Sequence, residues 1–191
     1  MKKNARVIAI LLTVILMLAL AACSGTSGDP KPSETDQGAA QEAGAPFSNA
    51  SDMAIVYDGK TYPVRVDCTE VLAALGDDYR YSESLSCVYE GYDKTYTYNG
   101  IAVSTVPVDG KDVIEMFSIV GEGFTTARGI GVGATRDEVI KAYGEKYYDD
   151  GYYLTYTESA DPSKINDMRI QFHFDNDVVT EIFVYSPSYS N

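Results

Sequence analysis

TRDEVIKAYGEKY, residues 135–147, is typical of one short helix that carries its own start and stop signals. Thr135 is a preferred N-cap residue, and Glu138 three positions later completes a capping-box pattern. The apolar residues that follow recur at helical spacing on one face: Val139, Ile140, Ala142 and Tyr143. Gly144 then supplies the left-handed conformation that ends a helix.

The same pattern occurs 68 residues earlier, in DCTEVLAALGDDY at residues 67–79. Asp67, Glu70 and Gly76 occupy the positions of cap, third helical residue and stop. The apolar face is again present, in Val71, Leu72, Ala74 and Leu75. Because cap, face and stop all match, the two stretches indicate an internal duplication.

The remaining segments predict antiparallel strands joined by tight polar turns. The predicted strands are residues 54–57, 61–66, 85–90, 95–98, 101–106, 113–120, 152–157, 168–174 and 178–185. Turn signals between them are Asp58-Gly59, Asn99-Gly100, Asp109-Gly110 and Asp175-Asn176-Asp177. Since no crossover helices separate the strands, we predict an α+β fold of two tandem units, about 52–120 and 121–191, rather than a parallel sheet.

Two tandem units of short helix plus antiparallel strands, with the helix start at residues 133–144, resemble the β-lactamase-inhibitory-protein-like architecture. The SmpA/OmlA-type lipoproteins use one such unit. SCVYEGYDKTYTY, residues 86–98, also resembles lipoproteins of clostridia-like bacteria. The resemblance covers roughly residues 52–185; it implies a binding scaffold and brings no catalytic residues with it.

The first 22 residues predict an export signal. Lys2, Lys3 and Arg6 precede an apolar run over residues 7–22 that is too short for an ordinary spanning helix. Leu20-Ala21-Ala22-Cys23 resembles the lipobox of bacterial lipoprotein precursors, which implies cleavage before Cys23 and a diacylglycerol, and in such proteins palmitate, on that residue. An extracytoplasmic protein anchored to the bacterial membrane by this lipid is expected. The alternative is an ordinary secretory signal or an uncleaved anchor with an incidental cysteine.

Residues 24–51 are rich in Gly, Ser, Ala, Pro and acidic residues, and predict a flexible tether that spans about 30 Å. Cys23 and the tether (23–51) would hold a single folded domain, residues 52–191, away from the membrane. Lipidation of Cys23 would leave Cys68 and Cys87 as a pair. A disulfide between them would add about 3 kcal/mol in the chain-entropy model, and two buried free thiols are the alternative.

Net charge argues against nucleic acid as a partner. The chain carries −13, and removal of residues 1–22 would change this to −16. No basic stripe follows Arg6, so binding to nucleic acid or to anionic head groups through charge is not expected.

Motifs for cofactors are weak, and we predict no cofactor, no nucleotide and no metal. GIGVGA at residues 129–134 matches a dinucleotide fingerprint, but it lacks the βαβ unit that the fingerprint requires, so we interpret it as a flexible start of the second helix. Asp149-Asp150-Gly151 and Asp175-Asn176-Asp177 do not follow a calcium loop and are interpreted as solvated turns. His173 is the single histidine, and no nucleophile elbow accompanies it. No enzymatic activity is therefore predicted.

One face of the predicted sheet is the candidate for a partner. Strand alternation places Arg169, Gln171 and His173 together, away from the core. An alignment of residues 113–117 with 179–183 places two further pairs in phase, Glu115 with Glu181 and Phe117 with Phe183, and Tyr185 follows on the same side. Aromatic residues among polar ones are typical of partner interfaces. The alternative is that both phenylalanines point into the core and both acids lie at strand ends.

The sequence thus predicts a lipid-anchored binding or scaffold protein that engages a protein partner in the envelope through its sheet face. A binder of cell-wall glycan or peptide, with tyrosines as stacking platforms, is the second hypothesis. A wall hydrolase that uses carboxylates is the third.

Overall fold

The computed structural model of the chain describes residues 43–187, which belong to one compact unit. The predicted signal peptide, Cys23 and the first part of the tether lie outside these residues. Within them the chain forms, in order, α1 (Asn49–Asp52), β1 (Ala54–Tyr57), β2 (Lys60–Pro63), α2 (Thr69–Leu75), β3 (Arg80–Leu85), β4 (Tyr92–Thr97), β5 (Ile101–Val108), β6 (Lys111–Ile119), β7 (Phe124–Thr126), α3 (Arg136–Tyr143), β8 (Tyr148–Asp149), β9 (Tyr153–Tyr156), β10 (Arg169–Asp175) and β11 (Val178–Tyr185). Few helices and antiparallel sheets confirm the predicted α+β class.

Helix α3 begins and ends where its sequence predicts. The Thr135 hydroxyl accepts a hydrogen bond from the Glu138 amide at 3.3 Å, and the Glu138 carboxylate accepts one from the Thr135 amide at 2.7 Å, so the capping box is complete. The bond from the Thr135 amide lowers the pKa of Glu138, and so does a second bond that the Thr135 hydroxyl donates to the same carboxylate at 2.9 Å. Gly144 follows with a φ of +79°, and its amide donates to the Ile140 carbonyl.

Helix α2 keeps the stop but not the predicted cap. Its N-cap residue is Cys68, whose backbone is already helical, so the helix starts one residue later than the pattern predicts. The Asp67 carboxylate accepts from the Thr69 amide at 2.9 Å, whereas Glu70 pairs with Lys60 instead of closing a capping box. Gly76 ends the helix with a φ of +85°.

Eight strands form one antiparallel sheet in the order β3-β4-β5-β6-β11-β10-β9-β8. Strands β3 to β6 form one half of the sheet in chain order, and strands β8 to β11 form the other half in reverse chain order. The two groups meet where β6 pairs with β11, through Ile119–Ile182, Ser118–Phe183, Phe117–Val184 and Met116–Tyr185. We call this pairing the seam.

The two faces of this sheet differ in what covers them. At the seam, Phe117, Ile119, Ile182 and Val184 are completely buried. They share a core with Val71 of α2 and with Val139 and Tyr143 of α3. The alternate residues, among them Ser118 and Phe183, lie on the opposite face and stay partly exposed. We call that second face, which points away from α2 and α3, the open face.

A smaller sheet, in the order β2-β1-β7, completes the domain and adds Ile55, Tyr62 and Phe124 to the same core. The segment before it is folded as well: the Gly44 amide donates to the Ala142 carbonyl at 3.1 Å, and Phe47 is buried. The folded unit therefore begins by Ala43, and the tether predicted to reach residue 51 is shorter than expected. None of the helices within residues 43–187 is both long and apolar enough to cross a membrane.

Several strand boundaries differ from the prediction. Residues 86–91 form a loop and not part of a strand, because the Ser86 hydroxyl accepts from the amides of Val88 and Tyr89 at 3.3 and 3.2 Å. Strand β3 lies earlier, in a polar stretch with every residue exposed. The short strands β7 and β8 carry too few residues to show a period and were not predicted.

Candidate functional site

The open face is built from rows of residues that pair across neighbouring strands. The longest row crosses all eight strands: Arg80, Thr97, Ala102, Ser118, Phe183, Gln171, Thr155 and Tyr148. A second row runs beside it: Ser82, Thr95, Ser104, Met116, Tyr185 and Arg169. A third joins Glu181, His173 and Tyr153. The first half of the face is therefore rich in serine and threonine, and the second half in aromatic residues.

An aromatic cluster stands on the second half, formed by Tyr152, Tyr153, His173 and Phe183. The His173 ring lies 4.8 Å from the Tyr152 ring and 5.8 Å from the Tyr153 ring, and Tyr153 meets the edge of Phe183 at 5.9 Å. The Tyr152 side chain is 65% exposed. Partial burial is the largest cause of the raised pKa of Tyr153, followed by the Glu181 carboxylate. The cluster thus offers an apolar surface with polar edges.

Hydrogen bonds between side chains hold this half in place. His173 Nδ1 lies 2.9 Å from the Thr180 hydroxyl, Gln171 donates to the Thr155 hydroxyl at 3.2 Å, and Ser118 donates to Glu181 at 3.2 Å. Arg169 is fixed by the carbonyls of Ile165 and Asp167, and its guanidinium lies 5.5 Å from the Tyr185 ring centre. These contacts hold the side chains of the second half in defined positions.

Of the eight predicted partner-face residues, the structure brings six together: Arg169, Gln171, His173, Glu181, Phe183 and Tyr185. Phe117 is a correction, because it pairs with Val103 and Val184 on the covered face and is completely buried. Glu115 is the extra residue of a β-bulge, since Met116 pairs with Ser104 and Ile114 with Thr105. The alignment of residues 113–117 with 179–183 misses this bulge and shifts β6 by one residue.

A depression of about 400 Å³ lies on the first half of the open face. Its walls include Ser82, Ser84, Asp93, Thr95, Met116 and Tyr185, and Glu115 lies at its border. Within residues 43–187, Asp93 Oδ1 is buried and has no hydrogen-bond partner. A buried polar atom without a partner is costly, so the depression is suited to a group that donates hydrogen bonds. Sequence alternation through β4 could have placed Asp93 here, but its burial depends on the neighbouring strands.

The two cysteines of the domain are free thiols, which contradicts the predicted disulfide. Cys68 is buried beside α2, where its amide donates to the Asp112 carbonyl at 2.9 Å. Burial raises its pKa to about 11, and the nearby Asp112 carboxylate adds to the shift. Cys87 is exposed in the loop between β3 and β4. The alternative of two buried thiols thus holds only for Cys68.

The glycine-rich stretch, residues 129–134, and the turn at residues 149–151 have structural roles. In the glycine-rich stretch, Thr125 forms a bridge with Gly131, and the Gly133 amide donates to Val179, so the loop joins β7 and β11 ahead of α3. Asp150 accepts from the amides of Tyr153 and Tyr152, which lowers its pKa. No group of three His, Cys, Asp or Glu residues suited to a metal ion occurs in the described range 43–187.

Comparison with protein-family models, with curated proteins and with solved structures finds no match to this chain.

Proposed function

We propose that the protein is a lipid-anchored, extracytoplasmic binding protein that engages a protein partner through its open face. The observation that carries this proposal is the register of β6, β11 and β10. It sets Met116, Phe183, Tyr185, Arg169 and His173 on a face to which neither α2 nor α3 contributes. Aromatic residues, Met and Arg are enriched at protein interfaces.

The dimensions of the face agree with a protein as its partner. Eight strands at about 4.8 Å spacing separate the edges by about 34 Å, and six residues at about 3.3 Å give about 20 Å along a strand. The product, about 700 Å², is close to the roughly 800 Å² that each partner contributes to a standard interface. A small ligand would need only a fraction of this surface.

The chemistry of the face indicates what the partner presents. The Asp93 carboxylate lines the depression and can accept a hydrogen bond, and the aromatic cluster offers apolar contact. A partner with a protruding donor group, such as an amide or an ammonium, flanked by an apolar side chain would satisfy both. The separation of these features across the seam would fix its orientation.

We further propose that the domain consists of two β-lactamase-inhibitory-protein-like units. The mirrored strand order supports this, as do the matching ends of the helices. The Tyr98 hydroxyl donates to the Gly76 carbonyl at 3.2 Å, and the Tyr156 hydroxyl donates to the Gly144 carbonyl at 2.9 Å. The same tyrosine contact thus follows each helix stop, although the loops between them differ in length.

Site-specific photo-crosslinking in the native membrane tests the partner proposal. A photoreactive phenylalanine at Ser104 or Gln171 reports on the open face, whereas the same group at Ala73 of α2 or Lys141 of α3 is the matched control, because both side chains are exposed on the other side. We expect one defined adduct from the open-face positions that is absent from the controls. Adducts from Ala73 or Lys141 alone would disprove the assignment.

Cell-wall glycan is the second candidate, and the exposed Tyr152 ring beside His173 is the observation that favours it. Rings of this kind stack on apolar faces of ligands. Retention on a column of wall fragments should fall for Tyr152→Ala and stay unchanged for Tyr92→Ala, an exposed tyrosine of β4 that is not part of the aromatic cluster. Equal retention of both variants would remove this candidate.

A further inference from the structure

The eight-stranded sheet ends in two very different edges. At one edge β8 has only two residues, which leaves little backbone for another strand to pair with. At the other edge β3 has six residues, and all six are exposed. Short edges are a usual protection against edge-to-edge pairing, and long open edges promote it.

Hydrogen-bond alternation shows which backbone groups of β3 point outward. The Ser86 amide donates to the Gly91 carbonyl at 3.0 Å, in line with the register that pairs Ser84 with Asp93 and Ser82 with Thr95. Every second residue of an antiparallel strand bonds to the same neighbour. The amides and carbonyls of Ser82 and Ser84 therefore point to β4, and those of Tyr81 and Glu83 point away from the sheet.

Strand β3 carries two charged residues, Arg80 and Glu83, but it lacks other features that commonly block pairing. It contains no proline and no lysine, and its register with β4 has no bulge. Tyr79 and Tyr81 stay exposed on the side of the covered face, and Leu85 is 71% exposed. Large apolar side chains beside an unpaired edge indicate a contact that the described part of the chain does not supply.

We infer that β3 pairs antiparallel with β3 of a second copy of this chain, with Ser82 opposite Ser82, so that two domains form one continuous sheet. In this arrangement Tyr81, whose hydroxyl donates to Glu83 of its own strand, faces Glu83 of the second copy, and Leu85 faces Tyr79. Both open faces lie on the same side of the joined sheet. The inference does not rest on the proposed partner, because it uses the edge and not the face.

Other registers are less favourable. Other pairings that keep the open-face residues of the two copies on the same side are centred on Glu83 or on Tyr81 instead of on Ser82. Centred on Glu83, the pairing sets two carboxylates directly opposite each other, which destabilises an antiparallel pair. Centred on Tyr81, it brings Tyr79 opposite Glu83 and leaves Leu85 beyond the strand. The pairing centred on Ser82 sets Leu85 opposite Tyr79 and keeps the two Glu83 carboxylates from lying directly opposite each other.

Register-specific cross-linking tests this pairing in the full chain with Cys23→Ser and Cys87→Ser, so that buried Cys68 is the one native thiol left. Directly opposite residues of a pair without mutual hydrogen bonds have Cα atoms about 4.5 Å apart, within the range of a disulfide. We expect Ser82→Cys to form a covalent dimer under mild oxidation. Ser84→Cys, the matched control, should form at least about tenfold less, because Ser84 faces Arg80 of the second copy.

A backbone substitution provides an independent readout by sedimentation velocity at elevated salt, which screens the net negative charge. Glu83→Pro removes an outward amide without removing a bond to β4, so it should abolish the dimer. Glu83→Ala retains that amide and should still dimerise. Equal cross-linking at positions 82 and 84, or a monomer for every variant with an unchanged circular dichroism spectrum, would overturn the inference. A photo-crosslink from position 83 to a different protein would do so as well.

Discussion

Arg128 and Asp52 form a buried bidentate ion pair, in which Nε donates to Oδ1 and Nη2 donates to Oδ2, both at 2.7 Å. The side chains are 3% and 0% exposed. The same guanidinium donates to the carbonyls of Ala45, Pro46 and Ala142 and lies 4.6 Å from the Tyr143 ring centre. One side chain therefore joins the segment before β1 to the end of α3.

Removing either member of this pair should destabilise the domain strongly. Arg128→Met leaves the Asp52 carboxylate buried without a counter-charge, and we expect a loss of about 3 to 5 kcal/mol in the free energy of unfolding. Urea denaturation measures it. Arg136→Met, at a partly exposed ion pair with Asp149, is the control and should cost less than about 1 kcal/mol. Comparable losses for the two variants would contradict this account.

The two tyrosine contacts at the helix stops should differ in strength. Tyr156→Phe removes a hydrogen bond from a completely buried side chain, and Tyr98→Phe removes one from a partly exposed side chain. We expect losses of about 1.5 and about 0.5 kcal/mol, because the Tyr156 side chain is completely buried and that of Tyr98 is partly open to water. Thermal unfolding of both variants gives the comparison, and a reversed order would argue against it.

The capping difference between the helices is also measurable. Thr135→Ala should cost about 1 to 2 kcal/mol, since it opens the capping box of α3. Asp67→Ala should cost less, because Asp67 lies outside the N-cap position of α2 and its hydrogen bonds from Thr69 are exposed to water. Thr61→Ala, at an exposed position of β2, provides the background value for such a truncation.

The two thiols should react at different rates. Cys87 is exposed, so a maleimide should modify it in the native protein as fast as it modifies an unhindered thiol. Cys68 is buried with a pKa of about 11, so its thiolate is scarce and shielded, and modification should require denaturant. Peptide mapping by mass spectrometry assigns the labels. If both cysteines stay unmodified in denaturant until a reductant is added, the two cysteines form the disulfide predicted from the sequence.

Alkaline pH should destabilise the protein through its buried tyrosines. Burial raises the pKa of Tyr98 to about 12, and it raises those of Tyr143 and Tyr156 further. An unfolded tyrosine loses its proton near pH 10, so above about pH 10 the unfolded chain binds fewer protons than the folded one. The stabilisation is present below that pH and is lost as pH rises. Urea denaturation from neutral to alkaline pH measures the decline, which should be shallower for Tyr156→Phe.

The sequence predicted correctly those helices and strands whose boundaries depend on residues close to them in the chain. Thr135, Glu138 and Gly144 act on neighbours in the chain, so α3 was predicted with its boundaries. The boundaries of β1 and β11 were predicted as well, because clear turn signals flank them. Alternation in β10 placed Arg169, Gln171 and His173 on one side without knowledge of any other strand.

Features that depend on distant residues were missed. The bulge at Glu115 is visible only against β5, and it reverses the side to which Phe117 points. Asp52 and Arg128 are 76 residues apart in the chain, and neither carries a local sign of the other. Tyr152 and Tyr153 join the aromatic cluster only because β9 pairs with β10 at His173. Strand pairing, rather than composition, assembled the second half of the site.

The position of β11 has a consequence for the order of assembly. It is the last strand within residues 43–187, yet it lies in the middle of the eight-stranded sheet between β6 and β10. The ribosome releases a chain from its N-terminus, so β3 to β6 become available before the strand that must lie beside them. Until residues 178–185 arrive, Phe117 and Ile119 have no second neighbour on that side. The centre of the sheet is therefore complete only once residues 178–185 are available, and a chain truncated before residue 178 would lose the centre of the sheet and not its edge.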